Sequence, residues 1–145
     1  MSNPTREVDV FFYGSFMNEK VLSKAGVSPR NLRAAKLSDY SIVISPRATI
    51  KPNPDGILYG LVGRLSHAEL DKIYAKDWFG FGAYVPEAVI LEVDSTIQIP
   101  ALCYICWGME PAPTTEEYIS LMLEVGEQYK FPASYLHEIS SFVSG

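Results

Sequence analysis

The stretch that most constrains the fold is Val8–Met17, with the sequence VDVFFYGSFM. Its β-branched and aromatic residues favour a buried strand, and Gly14 gives the backbone the freedom to turn sharply before a helix that begins near Asn18. Where a strand ends in a glycine turn and a helix follows, several backbone N–H groups point the same way and form a nest for a carboxylate or an oxyanion. The stretch therefore predicts an anion site at the turn, although many such turns bind nothing.

Length and charge limit the classes of protein that this chain can represent. Its 145 residues, 48% of them hydrophobic, predict a single globular domain spanning residues 1–145. The net charge of -5 and the scattered Lys and Arg residues argue against nucleic acid as a partner. The N-terminal segment lacks the apolar region of a signal peptide, and no apolar run is long enough to cross a membrane. We therefore expect a cytoplasmic protein with no membrane partner.

The order of the predicted elements favours one fold class. Asn53-Pro54-Asp55-Gly56 predicts a turn, and Ser66 with Glu69 forms a capping box that predicts a helix start. Strands are predicted over Arg33–Lys36, Tyr40–Ile44, Ile57–Leu65, Tyr84–Val93 and Ile97–Trp107, and further helices after Thr114 and over Ala133–Val143. A run of strands followed by helices favours an α+β fold with a small curved or barrelled sheet.

The two cysteines, Cys103 and Cys106, form a C-x-x-C pair within an apolar, strand-like run. Such a pair is compatible with redox chemistry or half of a zinc site, but no second pair exists and neither histidine has ligand spacing. We therefore predict two reduced core cysteines and no metal site.

Three separated stretches together resemble the γ-glutamylcyclotransferase family, also called AIG2-like. The first is Phe11–Ser15, which is similar to the family's Tyr-Gly-Ser/Thr signature. The second comprises Asp55–Val62, the Leu70-Asp71 pair and Tyr84. The third is Tyr118–Tyr135, which is similar to the C-terminal helices of the glutathione-pathway branch. The stretches cover most of the chain, and it is their order and spacing that make the match specific.

The resemblance implies a small mixed β-barrel with flanking helices and a cavity at the Tyr-Gly-Ser turn. It also implies an enzyme that acts on a small γ-glutamyl compound. The α-amine of the substrate attacks its own γ-carbonyl, forms 5-oxoproline and releases an amine or an amino acid. This reaction needs no metal, nucleotide or other cofactor, but it needs one carboxylate to move a proton and N–H donors to stabilise the oxyanion.

In the family, the catalytic Glu lies shortly after the Leu-Asp pair and a fixed distance before a Tyr. In this chain the two spacings point to different residues. Three residues after Asp71 stands Tyr74, which is not a base at neutral pH, whereas seven residues before Tyr84 stands Asp77. Asp77 shares a helical face with apolar residues, and desolvation beside aromatic neighbours would raise its proton affinity. We predict Asp77 as the catalytic residue, with Glu87 in reserve; the alternative is that Asp77 only caps the helix end.

Substrate binding is assigned by the resemblance to Tyr13, Gly14, Ser15, Phe16, Met17 and Tyr118. Phe16 stands where many relatives have Asn, so its side chain either shapes the leaving-group side or packs in the core. Tyr118 either reaches the cavity with its hydroxyl or packs in the core as part of an apolar stripe. For Arg47, a surface role is favoured over pairing with a substrate carboxylate.

Two other functions compete with the cyclotransferase. The first is a binding-only protein of the same fold that has lost its proton carrier and retains a small carboxylate-bearing ligand. The absence of Glu after Leu70-Asp71 favours it. The second is an enzyme that removes a γ-glutamyl group from a biosynthetic intermediate. The sequence does not identify the leaving group.

Overall fold

The computed structural model describes residues 6–74 and 84–143 of the chain. This part contains five strands, one 3-10 turn and four α-helices. In chain order they are β1 Glu7–Phe12, the 3-10 turn Ser15–Met17, α1 Glu19–Lys24, β2 Arg30–Ile44, β3 Ala48–Ser66, α2 His67–Tyr74, β4 Val85–Val93, β5 Ile97–Ile105, α3 Glu116–Gln128 and α4 Ala133–Ser141.

The five strands close into a barrel in the order β1-β3-β2-β4-β5. Neighbouring strands are antiparallel except at the closure, where β1 runs parallel to β5 and Phe11 lies opposite Cys103. Pairing between β2 and β4 is confined to Lys36 and Glu92. The predicted α+β fold, a small mixed barrel with flanking helices, is confirmed.

Alternate residues of the strands fill the barrel. On β4, Val89, Leu91 and Val93 are buried while Ile90 between them is 57% exposed. This period of two follows from strand geometry, which sends successive side chains to opposite faces. The largest fully buried side chains include Phe11, Phe12, Leu58, Leu61, Leu65, Leu91 and Ile105. Each stabilises the fold by about 1.5–3 kcal/mol relative to an exposed side chain.

The turn predicted at residues 53–56 is wrong, because β3 continues through these residues. Pairing with β2 jumps from Pro52 opposite Tyr40 to Ile57 opposite Ser38, so residues 53–56 form a bulge across from Asp39. Within the bulge, Asn53 still forms the hydrogen bond typical of a turn, because its side-chain oxygen accepts from the Asp55 N–H at 3.1 Å. Pairing on both sides keeps the chain direction, and the two strand pieces predicted around Ser38 are one strand, β2.

The predicted capping box at the start of α2 is confirmed. The Ser66 N–H donates to Glu69 Oε1 at 2.9 Å, and the Glu69 N–H donates back to Ser66 Oγ at 3.2 Å. Glu69 also forms an ion pair with Arg30, which lies on β2. The hydrogen bond that the Arg30 guanidinium donates within this ion pair lowers the pKa of the Glu69 carboxyl from its usual value of 4.5 to about 2. The carboxylate therefore ties α2 to the barrel.

Cys103 and Cys106 are both buried and neither forms a disulfide, which confirms the prediction of reduced core cysteines. Burial raises the pKa of the Cys103 thiol to about 12, so it is protonated at neutral pH. Within residues 6–74 and 84–143, no group of three or more His, Cys, Asp or Glu side chains is arranged to hold a metal ion. In the same ranges, every helix is too short or too polar to cross a bilayer.

The Arg30–Glu69 pair predicts a pH-dependent contribution to stability. Because folding lowers the pKa of Glu69, the contribution is complete above about pH 5 and disappears as the pH falls toward 2. We expect Glu69→Gln, which preserves the cap but removes the charge, to lower the free energy of unfolding by about 1 kcal/mol at neutral pH. Denaturant unfolding at pH 7, 5, 4 and 3 measures the difference, which should shrink with decreasing pH.

Glu124→Gln is the matched control, since Glu124 pairs with Lys20 on the surface and both side chains are largely exposed. We expect little change in stability from this variant at any pH. A difference between wild type and Glu69→Gln that stays constant from pH 7 to 3 would contradict the role assigned to the carboxylate.

Candidate functional site

The turn after β1 is fixed between the barrel and α3. Gly14 begins the 3-10 turn by accepting a hydrogen bond from the Met17 N–H at 3.0 Å. Asn18 then caps α1, because its Oδ1 accepts from the Lys20 N–H at 3.0 Å. The Asn18 amide also donates to the Leu121 carbonyl on α3 at 3.0 Å. One buried Asn side chain thus starts α1 and connects the turn to α3.

Two tyrosine hydroxyls hold the backbone of Ala48 at the start of β3. The Ala48 N–H donates to Tyr118 Oη at 2.8 Å, and Tyr84 Oη donates to the Ala48 carbonyl at 2.5 Å. Burial raises the pKa of Tyr84, outweighing the opposite effect of nearby Arg47, so its hydroxyl stays a donor. A Cβ at Gly14 would lie 3.0 Å from both Ala48 Cβ and Tyr118 Oη. Glycine therefore allows the turn to pack directly against this pair.

Arg47, beside Ala48, lies over the turn. Its Nη2 donates to Ser15 Oγ at 3.2 Å, and its guanidinium carbon lies 5.0 Å from the centre of the Tyr118 ring. A cation over an aromatic face is stabilised by the ring's electrons. Arg47 is half-buried, and which of the two roles weighed from sequence it fills stays a prediction.

A groove of about 350 Å³ opens beside this cluster. Ser15 and Phe16 line it from the 3-10 turn, and Arg47 lines it from the link between β2 and β3. The rest of the lining comes from the helices and the residue after α1: Val21, Lys24, Ala25, Lys72, Ile73, Tyr118 and Leu121. Three of the lining residues are cationic, and none of the described residues that line it is acidic. Apolar walls with a few positive charges suit a small organic anion.

An aromatic cluster packs beside the turn. The rings of Tyr74 and Tyr104 stack with centroids 3.8 Å apart, and Phe16 meets Tyr74 edge-on at 5.6 Å. The Tyr13 hydroxyl donates to the Tyr104 carbonyl at 2.6 Å. Burial raises the pKa of both Tyr13 and Tyr74. Tyr74 is therefore a neutral packing residue, in agreement with the argument that it is no base.

The predicted binding residues separate into two groups. Ser15, Phe16 and Tyr118 line the groove, and Tyr118 also supplies the hydroxyl that holds Ala48. Tyr13 and Met17 are buried beside the turn and do not line the groove, and Gly14 packs against Ala48. These three residues thus position the turn, and their assignment to substrate binding stays a prediction.

The two predicted acids have different outcomes. Asp77 lies outside the described residues. Glu87 lies on β4 opposite Cys103, is exposed, and does not line the groove with Ser15. No local sequence pattern marks Lys24 on α1 or Lys72 on α2; both line the groove, and only the tertiary fold brings their helices to it.

Comparison with known proteins identifies the fold. No protein-family model matches the sequence, and no curated protein matches it. The solved structure of a γ-glutamyl cyclotransferase is similar, with a TM-score of 0.77, 17% identity and coverage of 93% of this chain and 87% of that chain. An uncharacterized protein from Homo sapiens is similar at a TM-score of 0.75 and 18% identity, over 92% of this chain and 86% of the other.

A third similar structure is YkqA from Bacillus subtilis, with a TM-score of 0.74 and 17% identity. The match covers 97% of this chain but 55% of YkqA, so the fold here corresponds to part of that protein. At these identities the likeness establishes the fold. The chain therefore has the γ-glutamylcyclotransferase-like fold to which the resemblance in its sequence pointed.

Removal of the Tyr118 hydroxyl tests the cluster around Ala48. In Tyr118→Phe the buried Ala48 N–H loses its acceptor, so we expect the free energy of unfolding to fall by about 1–3 kcal/mol. Denaturant unfolding measures this loss. The matched control is Tyr129→Phe at the end of the same helix, where the half-buried ring lies beside a solvent-accessible cleft. Equal losses in the two variants would contradict a special role for the Tyr118 hydroxyl.

Proposed function

We propose that this protein cyclises the γ-glutamyl group of a small γ-glutamyl compound to 5-oxoproline. The observation that carries the proposal is the cationic groove at the Tyr-Gly-Ser turn, where Arg47 contacts Ser15 and Tyr118. The fold supports it, because a similar solved structure is a γ-glutamyl cyclotransferase. Because one fold hosts several functions, the fold alone does not specify the reaction, and the groove is the feature of this chain that supports it.

Binding would begin with the α-carboxylate of the γ-glutamyl group. Arg47 is the group suited to it, since a guanidinium presents N–H donors in a planar fork that matches a carboxylate. The N–H groups of Ser15 and Phe16 stand at the start of the 3-10 turn, where backbone donors have no partner within the turn itself. In this proposal they would stabilise negative charge on the γ-carbonyl oxygen.

The chemical step would then be an intramolecular acyl transfer. The α-nitrogen of the substrate forms a bond to the γ-carbon, and the bond from that carbon to the leaving nitrogen breaks. The α-ammonium loses two protons as it becomes the ring N–H: one leaves before the attack, and the carboxylate takes the other during ring closure and gives it to the leaving nitrogen. The leaving group departs as a neutral amine that takes up one proton at neutral pH, so atoms and charges balance. We assign the carboxylate to Asp77 from the sequence. Confinement of the flexible substrate in the groove would supply much of the rate.

Asp77→Asn tests the proton carrier. The change preserves size and removes the base, so we expect turnover to fall by roughly 10²–10⁴-fold. Formation of 5-oxoproline from γ-glutamyl-alanine, glutathione and a γ-glutamylamine provides the assay. Glu87→Gln is the matched control and should retain wild-type turnover. Loss of activity in Glu87→Gln with retention in Asp77→Asn would transfer the role to Glu87.

Arg47→Gln tests the carboxylate site separately from the chemistry. Loss of a charge-assisted hydrogen bond should raise KM by about 10–100-fold. We expect kcat to change much less, because the proton carrier is intact. An unchanged KM would remove Arg47 from substrate binding, provided that circular dichroism shows a folded variant.

A second candidate is a binding protein of the same fold that holds a small carboxylate without turning it over. The observation that favours it is the composition of the groove, where the described lining residues offer cations but no acid. Absence of 5-oxoproline from every substrate, together with a thermal shift on adding γ-glutamyl-alanine, would support this function.

A further inference from the structure

We propose that Ser45 and Thr49 are positioning residues, which hold Arg47 in the place where it binds a substrate carboxylate. The proposal rests on the proposed function, in which Arg47 takes the α-carboxylate of the γ-glutamyl group. It adds that the affinity of this site is set by two hydroxyls that do not contact the substrate. Both hydroxyls act through Arg47, because neither Ser45 nor Thr49 lines the groove at the turn.

Both hydroxyls bind the backbone of the linker between β5 and α3. Ser45 Oγ donates to the Ala112 carbonyl at 2.9 Å and accepts from the Ala112 N–H at 3.1 Å. Thr49 Oγ1 donates to the Cys106 carbonyl at 2.9 Å and accepts from the Cys106 N–H at 3.0 Å. The short segment that carries Arg47 is therefore bound to the linker at each of its two ends.

The backbone of Arg47 lies between these two anchors and is bound as well. The Ser45 N–H donates to the Arg47 carbonyl at 3.2 Å. The next residue, Ala48, is held at both its N–H and its carbonyl by the hydroxyls of Tyr118 and Tyr84. The backbone on both sides of Arg47 is thus hydrogen-bonded, so the side chain extends toward the turn from a fixed point.

The same linker leads directly to the aromatic ring on which the guanidinium lies. Tyr118 is in the first turn of α3, which follows the linker, and the guanidinium carbon of Arg47 lies 5.0 Å from the centre of its ring. Because Ser45 and Thr49 bind the segment of Arg47 to this linker, the cation and the ring have a common support. A group that is already in position loses less entropy when a ligand binds, so we expect the two hydroxyls to affect affinity more than turnover.

A purely structural role for the hydroxyls makes a different prediction. Removal of Thr49 Oγ1 takes one hydrogen-bond partner from each buried backbone group of Cys106, which lowers stability in either case. If Thr49 contributed only to stability, a folded variant would bind substrate as wild type does, whether or not Arg47 is present. A double-mutant cycle of Thr49 with Arg47 is therefore the informative measurement.

The test measures KM and kcat for γ-glutamyl-alanine in Thr49→Val, which retains the β-branched shape and removes the hydroxyl. We expect KM to rise by about tenfold with kcat little changed, Ser45→Ala to act in the same direction, and Thr49→Ser to restore the wild-type KM. In an Arg47→Gln background, Thr49→Val should change KM by less than about twofold.

Ile139→Val is the control for lost stability, because it alters a fully buried side chain on α4, away from the groove. We expect its KM to match that of wild type. An unchanged KM in Thr49→Val, or an equal effect of this substitution with and without Arg47, would overturn the positioning role.

Binding measurements separate failure of the positioning role from failure of the proposed function. Calorimetric titration of γ-glutamyl-alanine into Asp77→Asn protein, with and without Thr49→Val and Arg47→Gln, reports affinity without turnover. If wild type forms no 5-oxoproline but Thr49→Val weakens binding only when Arg47 is present, the cyclotransferase fails and the positioning role stands. If 5-oxoproline forms and affinity does not depend on Thr49, the positioning role alone is overturned. Absence of both binding and turnover would overturn both.

Discussion

The backbone of Ala48, held at its N–H by Tyr118 and at its carbonyl by Tyr84, is the constraint on which the site depends. A buried peptide group without partners is costly, so both hydroxyls contribute to stability as well as to position. The pair joins the start of β3 to α3 and to the residue before β4. Arg47 directly precedes Ala48, so the same two hydrogen bonds help to position Arg47 beside the turn.

The link between β2 and β3 is fixed at further points. The Ser45 hydroxyl donates to the Ala112 carbonyl at 2.9 Å and accepts from the Ala112 N–H at 3.1 Å. Thr49 bonds in the same way to both backbone groups of Cys106, at 2.9 and 3.0 Å. Residues 45–49 therefore form a rigid platform beside the turn. Rigid placement of a charged group reduces the entropy lost when a ligand binds.

This chain shares the fold of the barrel with its structural neighbours, and that similarity does not by itself establish the chemistry. Identities of 17–18% accompany TM-scores of 0.74–0.77, so the same backbone arrangement is built from largely different side chains. A barrel tolerates such change because it needs only enough apolar side-chain volume inside and an alternation of inward-facing and outward-facing residues along each strand. The groove is a property of particular residues, and the cations that line it with Ser15 are the basis of the anion site proposed here.

Local chemistry made several elements predictable. The Ser66–Glu69 capping box, the strand that runs into the Gly14 turn and the two strands joined at Asp94 all depend on residues within a few positions of one another. The turn predicted at residues 53–56 failed for a tertiary reason, because pairing with β2 on both sides outweighed the local preference. Local patterns identify an element but not its partners.

The sequence by itself determined the strand, the glycine turn, the caps and the apolar faces, since each is encoded by neighbouring residues. Only the tertiary structure decided that Arg47 contacts Ser15, 32 positions earlier, and that Lys72 reaches the Gly26 carbonyl just after α1, 46 positions earlier. Those contacts depend on closure of the barrel and packing of the helices. The physical reason is that hydrophobic burial is non-directional, and only the closed barrel fixes which distant polar groups meet.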